Sequence, residues 1–331
     1  MELAKRRAKI VVEAPSTLDL TFKQTVDFLC QAEDLLIMAH AAPDGDTIGS
    51  AYGLCLGLRQ LGKRARVLCA DPLPTRFAFL KLPEAPDFEP KEIVCVDIAD
   101  PKLAGKANAS LAWKSTLCID HHGSNIRYAQ RLYLEPEASS TCEIMVNILE
   151  RMGVSLTSDI ADCLYTGMAT DTGCFRFGNT QASTHRTAAK LMECGAHAAK
   201  INKDLFDTIG RTRFVLEQLV GQTMQFYLGG RVAVIQVAHD MCVKTGTSDS
   251  ELEGFASMPG RIEGVLVGVT LREKVDGFYK ISLRTNEGID ASAICAKFDG
   301  GGHKAAAGCK IKGSLEHARK LILEAIEEAL G

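Results

Sequence analysis

His40, Asp44 and Asp46 fall within seven positions of one another, in His40-Ala-Ala-Pro-Asp44-Gly-Asp46-Thr-Ile-Gly-Ser50. Two carboxylates and an imidazole crowded into one loop repel each other unless a cation sits among them. Neutral imidazole with carboxylate oxygens suits a divalent ion of intermediate hardness such as manganese, and the lack of a nearby thiolate argues against a structural zinc cage. Three other places offer similar groups. Ile93-Val94-Cys95-Val96-Asp97 is an apolar run ending in an acid, and Thr116-Leu-Cys-Ile-Asp120-His121-His122 ends in an acid and two histidines. Asp171 lies in Tyr165-Thr-Gly-Met-Ala-Thr-Asp171-Thr-Gly-Cys-Phe175. A lone aspartate after a strand is more often a helix cap or turn residue than a ligand. The weight of these residues comes from their company.

The elements around them must bring them together. Leu35-Leu36-Ile37-Met38-Ala39 reads as a buried strand, and Pro43 and Gly45 bend the chain after it. The runs ending at Asp97 and Asp120 read as further strands, and 165–171 as a helix closing in a glycine turn. In an open parallel sheet the carboxyl ends of the strands share one rim, where ligands bind. Thr21-x-x-Gln24 fits a capping box opening a helix over about 22–33, Thr47 fits the cap of a helix that Gly62 ends, and Ser140-x-x-Glu143 fits a capping box for a helix to about 152. Strand alternating with helix predicts an α/β fold, a doubly wound and mostly parallel sheet. The expected organisation is a first domain over 1–210, a linker helix within 211–230 running from Arg211 to Tyr227, and a smaller mixed α/β domain over 231–331. In the latter, 232–237, 264–269 and 280–284 read as strands and 314–330 as a closing helix.

The order of these pieces resembles the DHH phosphoesterase family, whose Asp-His-His motif is here Asp120-His121-His122. Asp299-Gly300-Gly301-Gly302-His303-Lys304-Ala305-Ala306-Ala307-Gly308 resembles the glycine-rich signature of the associated DHHA1 domain. The resemblance covers nearly the whole chain and is closest to the nanoRNase branch. It implies one metal held by His40, Asp44 and Asp97 and a second held by Asp46, Asp97, His121 and Asp171, with Asp97 bridging. Two divalent ions, most simply Mn2+ with Mg2+ or Co2+ as alternatives, lie about 3.5 to 4 Å apart in such centres. His122 would then face substrate, and Asp120 would orient a ligand histidine. The two domains would face each other across a cleft, with substrate contacts from Gly300, Gly301, Gly302, His303 and Lys304, from Arg284 on a strand, and from Arg176 beyond Asp171.

On its own residues, the glycine run lets backbone N–H groups approach a phosphate closely, and Ala305-Ala306-Ala307 reads as the start of a helix offering its N-terminus to an anion. Family members commonly carry a further glycine where this chain has Asp299. An acid there is unfavourable beside phosphate unless it points away.

Composition agrees. The 331 residues are 46% hydrophobic and 24% charged, enough for two cores, with a formal net charge of −3. Long duplex nucleic acid calls for a basic stripe, whereas a few local cations suffice for single strands of about two to five nucleotides or for nucleotide bisphosphates. The resemblance implies manganese-dependent cleavage of very short oligonucleotides to mononucleotides, with 3'-phosphoadenosine 5'-phosphate (pAp) as a second substrate, and the charge agrees with short substrates. A pAp- or pApA-specific phosphatase or phosphodiesterase in cyclic di-AMP turnover is the nearest rival, and a nucleotide-binding regulator without catalysis a more distant one. The glycine motif argues against the inorganic pyrophosphatases of the superfamily, and the length against RecJ-type exonucleases. Twelve scattered cysteines with no Cys-x-x-Cys pair, no apolar signal core within Met1–Pro15 and no run of eighteen apolar residues suggest a reducing cytoplasm and no membrane association. A homodimer is compatible with the resemblance.

Overall fold

A computed structural model describes residues 17–331 apart from 253 and 287, so the opening stretch 1–15 lies outside the described residues. The chain divides after Thr208 into two units.

Among the described residues, the first unit is built on six strands: β1 (Leu18–Asp19), β2 (Leu35–Met38), β3 (Ala65–Leu68), β4 (Glu92–Val96), β5 (Leu117–Asp120) and β6 (Arg131–Leu134). They lie in the order β1-β6-β5-β4-β2-β3, and every pairing is parallel. Leu35, Ile37, Val94, Val96, Leu117 and Ile119 enter the core on one face, while Leu36, Met38, Cys95 and Cys118 enter a second core on the other. Burial on both faces is why these strands are continuous apolar runs rather than alternating ones. The chain leaves β2 toward β3 on one side and continues through β4, β5 and β6 on the other. The topological switch therefore falls between β2 and β4, the place where an open α/β sheet forms a crevice at its carboxyl ends.

The helices of this unit are α1 (Phe22–Gln31), α2 (Gly45–Gln60), α3 (Ala109–Ala112), α4 (Thr141–Arg151), α5 (Ser158–Asp171), α6 (Ala182–Glu193) and α7 (Ala198–Asn202). The α1 capping box forms as expected. At α2 the cap is Asp44 rather than Thr47: its Oδ1 accepts the N–H groups of Asp46 at 3.1 Å and Thr47 at 3.0 Å. Thr47 instead ties the end of β2, its hydroxyl accepting from the His40 N–H. Gly62, in a left-handed conformation, follows the end of α2 as expected, while Ser140 caps α4 without closing a capping box: its hydroxyl accepts the Glu143 N–H, but the Glu143 carboxylate accepts from the Ser139 N–H instead of that of Ser140. Along α2, Gly45, Gly49, Gly53 and Gly57 form a seam of period four. A Cβ at each would overlap Thr170, the Cys163 carbonyl, Leu164 and Leu149 respectively. The bare backbone lets α5 and α4 approach closely, and it sets the C-terminal end of α5 beside the N-terminal end of α2.

The second unit begins with α8 (Arg211–Gly221) and holds β7 (Gln225–Tyr227), β8 (Val232–Val237), α9 (His239–Thr245), β9 (Val267–Lys274), β10 (Phe278–Thr285), α10 (Ala291–Ala296), β11 (Gly301–His303), β12 (Ala306–Lys312) and α11 (Leu315–Leu330). Its sheet is mixed, in the order β11-β12-β10-β9-β8-β7, with only β8 and β9 parallel. The helix expected to run from Arg211 to Tyr227 stops at Gly221. Leu216 and Val220 pack it against Ile235 and Val237, so it is a layer of this unit's core. Within 264–269 only the residues from Val267 onward are strand, which then continues to Lys274.

The alanines after the glycine motif do not start a helix. Ala306 and Ala307 open β12, where Ala307 pairs with Leu283 of β10 and is buried. Sheet pairing with burial outweighs alanine's helix preference, which is only a weak prior. The motif itself is an edge hairpin, Gly301–His303 against Ala306–Gly308. Asp299 has φ +53°, in the left-handed region that aspartate tolerates better than most residues.

Candidate metal centre

Each strand end delivers its group to one place. His40 follows β2, Asp97 follows β4, His121 and His122 follow β5, and Asp171 closes α5. Asp97 itself has φ +58°, a strained conformation held by its N–H donating to the Ile119 carbonyl at 3.0 Å.

The side chains form two groups that meet at Asp97. His40 Nε2 lies 3.5 Å from Asp44 Oδ1 and 3.7 Å from Asp97 Oδ2. His121 Nε2 lies 3.7 Å from Asp97 Oδ1, 3.9 Å from Asp46 Oδ2 and 3.6 Å from Asp171 Oδ2. One oxygen of Asp97 thus faces each group. In each triplet, His40–Asp44–Asp97 and Asp46–His121–Asp171, the potential ligand atoms lie within 4.8 Å of one another.

The imidazoles are oriented for coordination. His40 Nδ1 lies 2.8 Å from the Ala41 carbonyl and His121 Nδ1 3.2 Å from the Ala138 carbonyl, so a neutral ring that donates there turns the Nε2 lone pair toward the acids. His121 Nε2 is buried with no hydrogen-bond partner among the described residues, a costly state for an isolated acceptor. Burial first, and then the charges of Asp46, Asp44, Asp120 and Asp171, push the Asp97 carboxyl well above the usual carboxylate range. Asp171 is pushed up to about 8 by burial and by the Asp46 and Asp44 charges. An orphaned buried imidazole nitrogen among carboxylates that resist ionising together is the donor set a divalent cation satisfies.

Several supporting groups carry no sequence signal of their own. Asp46 is buried and receives the first N–H groups of α4, Thr141 N at 2.7 Å and Cys142 N at 2.9 Å, so a helix N-terminus steadies its charge. The Thr141 hydroxyl donates to Asp97 Oδ1 at 3.0 Å. The Ser140 capping box located the start of that helix in the sequence, but nothing local tied it to a carboxylate ninety-five residues earlier.

Asp120 differs from the expectation that it orients a metal-facing histidine. Its Oδ1 accepts from His122 Nδ1 at 2.8 Å, and it also receives the backbone N–H groups of His121 and His122. Its Oδ2 accepts from Asn125 Nδ2 at 2.7 Å. Burial would raise the Asp120 carboxyl, yet the His122 and Asn125 hydrogen bonds hold it below its ordinary range, and the same contact raises the proton affinity of His122. His122 is the more open imidazole, with a side chain 45% exposed against 12% for His121. The spacing Asp120-x-x-x-x-Asn125 is the one cue that could have revealed this support.

Arg176 is exposed, and its Nε donates to the Gly173 carbonyl at 2.6 Å. In the second unit Gly300, Gly301, Gly302, His303 and Lys304 line the exposed edge hairpin, with Gly300 only partly covered, while Arg284 on β10 is half-buried and donates to the Leu283 carbonyl.

Residues 34–168 match the DHH family N-terminal domain and residues 229–331 the DHHA1 domain. The chain is 33% identical over 306 residues to the bifunctional oligoribonuclease and PAP phosphatase NrnA of Thermus thermophilus, covering 89% of this chain and 90% of that protein. It is 24% identical to the cyclic-di-AMP phosphodiesterase PdeA of Listeria monocytogenes, covering 91% of this chain but 48% of the relative. Among solved structures, an exopolyphosphatase-related protein from Bacteroides fragilis superposes with a TM-score of 0.84 at 27% identity, covering 93% of this chain and 95% of that one.

Proposed function

The chain belongs to the DHH phosphoesterase family, and on that premise we propose that it is a manganese-dependent hydrolase that cleaves very short oligonucleotides to mononucleotides and also removes a phosphate from pAp. The observation that carries this reading is Asp97, one oxygen facing His40 and the other facing His121. His40, Asp44 and Asp97 would hold one divalent ion, and Asp46, Asp97, His121 and Asp171 the other. Such a pair, when bound, activates water and neutralises charge at the attacked phosphoryl group.

The remaining groups act on substrate. His122, its Nδ1 committed to Asp120, offers Nε2 as a donor to a phosphoryl or leaving oxygen, and the Asp120 contact favours the protonated imidazole that such a donor needs. Arg176 supplies a cation near the centre. In the second unit, the hairpin Gly300–Lys304 and Arg284 bind nucleotide. A Cβ on Gly300 or Gly302 would overlap the facing strand, so glycine there keeps the hairpin flat.

The rival reading, a pAp- or pApA-specific enzyme, draws on the cyclic-di-AMP relative, but that match spans less than half of the relative's length. Release of mononucleotide from 5'-labelled RNA of graded length, with manganese and with pAp, pApA and pyrophosphate in parallel, tests the proposal. Turnover that is fastest on the shortest RNA supports it. Hydrolysis of pAp or pApA alone would replace the substrate and keep the centre, and nucleotide binding with no metal-dependent turnover would replace catalysis by regulation.

A further inference from the structure

Beyond Asp171 the chain makes an unusual turn. Gly173, Cys174 and Phe175 follow one another in the left-handed region, at φ +56°, +60° and +61°. Two of these are ordinary L-residues, one of them aromatic, and such strain persists where the surroundings over-determine it, often at ligand clamps. Here the surroundings do so. The Thr172 carbonyl accepts the N–H groups of both Arg176 and Phe177, and the Thr172 hydroxyl accepts that of Phe175 while donating to Met168. Phe175 turns inward onto Tyr165 and His185, with ring centroids 5.7 and 5.5 Å away. Asn179 Nδ2 donates to the carbonyls of Ser139, at 2.9 Å, and of Asp171, at 3.3 Å, which straps the far end of the loop to the metal-facing helix end and to the entry of α4.

The loop holds Phe177 outward. Its side chain leaves 57% of the residue exposed, and the tip of its ring rests in the space that a Gly173 side chain would fill. Single exposed apolar residues are common and usually mean nothing. This one is fixed rather than loose, and it stands six residues from Asp171 on a loop tied to that residue. The other candidate groups of this unit, the acids, His122 and Arg176, suit metal and phosphate. A nucleotide also carries a base; His122 and Arg176 are assigned to phosphate, and Phe177 offers an exposed benzene ring on the same loop as Arg176.

We propose that Phe177 is the stacking platform for a substrate nucleobase beside the metal centre, an inference that rests on the nucleotide-hydrolase reading above. Stacking accepts any base, so the enzyme discriminates little among sequences and more by the presence of a base at the stacked position.

Three forms of the full-length protein, wild type, Phe177→Ala and Phe177→Trp, are compared on diribonucleotides and on analogues in which one residue or the other is an abasic tetrahydrofuran. Phe177→Ala raises KM for the ordinary dinucleotide about tenfold with little change in kcat. Phe177→Trp restores it, and the difference between wild type and Phe177→Ala vanishes on one of the two abasic analogues. Calorimetric binding of pAp to the metal-free proteins gives a second readout and weakens in parallel. An unchanged KM, or the same loss on both abasic analogues, overturns the proposal. If wild type cleaves no dinucleotide, the oligonucleotide reading falls, and the pAp binding comparison alone decides the platform.

Discussion

Gly49 of α2 lies so close to the Cys163 carbonyl of α5 that a methyl group on it would overlap that oxygen. This contact belongs to the seam that brings the start of α2, with Asp44 and Asp46, beside the end of α5, with Asp171. Spacing in the centre is therefore set partly by helix packing about one to two turns away.

Gly49→Ala should reverse the usual sign of such a change. In an ordinary helix interior the substitution gains about 0.5–1 kcal/mol, whereas a methyl forced against backbone costs about 1–3 kcal/mol. Thermal unfolding should show a lowered Tm and a smaller rise on adding manganese. A more stable variant with full metal response would show that the seam does not govern the site.

Asp97→Asn replaces a buried carboxyl that resists ionising among its acidic neighbours with a neutral amide of the same shape. Metal-free protein should be as stable as wild type or more so, since Asn also tolerates the left-handed backbone at this position. Manganese should then give little further rise in Tm, and hydrolysis should fall to background. Retained hydrolysis would mean that the bridging carboxylate has been misassigned.

Protons and metal should compete. Asp171 has a folded value of about 8 against an ordinary 3.8, so between those values the folded metal-free protein binds protons that the unfolded chain has released. Stability of the metal-free protein should therefore fall as pH rises through that window. The raised His40 and His122 act in the same direction, because the stability they contribute when protonated is lost as pH rises through their folded values. A cation favours the carboxylates, so the Tm gained from manganese should grow with pH. Unfolding of chelator-treated protein with and without manganese across this range checks it; a gain independent of pH would rule the linkage out.

Asn125→Ala deprives Asp120 of a 2.7 Å hydrogen bond without touching the metal-facing groups. Loss of such an outer partner commonly costs about 10–100-fold, here expected in kcat rather than in metal response. The alkaline side of the kcat–pH profile should shift, because His122 acts when protonated and Asp120, freed from Asn125, holds it less firmly. Equal losses in manganese affinity would mean that Asn125 supports the metal cluster instead.

Asp299→Gly tests the glycine hairpin. Asp299 occupies a left-handed conformation, so glycine should relieve strain by about 1 kcal/mol. Gly302→Ala, at φ +147° and against the Ala306 carbonyl, should do the opposite. Matched denaturant titrations measure both, and a destabilised Asp299→Gly would show that the carboxylate makes a needed contact.

The residue types, their order and the strands that end in them were legible in the sequence, because buried parallel strands are continuous apolar runs and the acids and histidines follow them at once. Local punctuation placed the starts of α1 and α4 for the same reason: a cap and its partner are three residues apart. What failed was whatever depended on distant partners. The α2 cap moved from Thr47 to Asp44 because the Thr47 hydroxyl is claimed by the end of β2. The alanines at 306–307 became strand because β10 was there to pair with them. Asp46 received the N-terminus of α4 only once the sheet order was fixed. Sequence spacing determined which groups could do the chemistry and the short-range pair His40–Asp44; which oxygen of Asp97 faces His40 and which faces His121 was decided by tertiary packing, since those contacts join residues tens of positions apart and no local pattern encodes them.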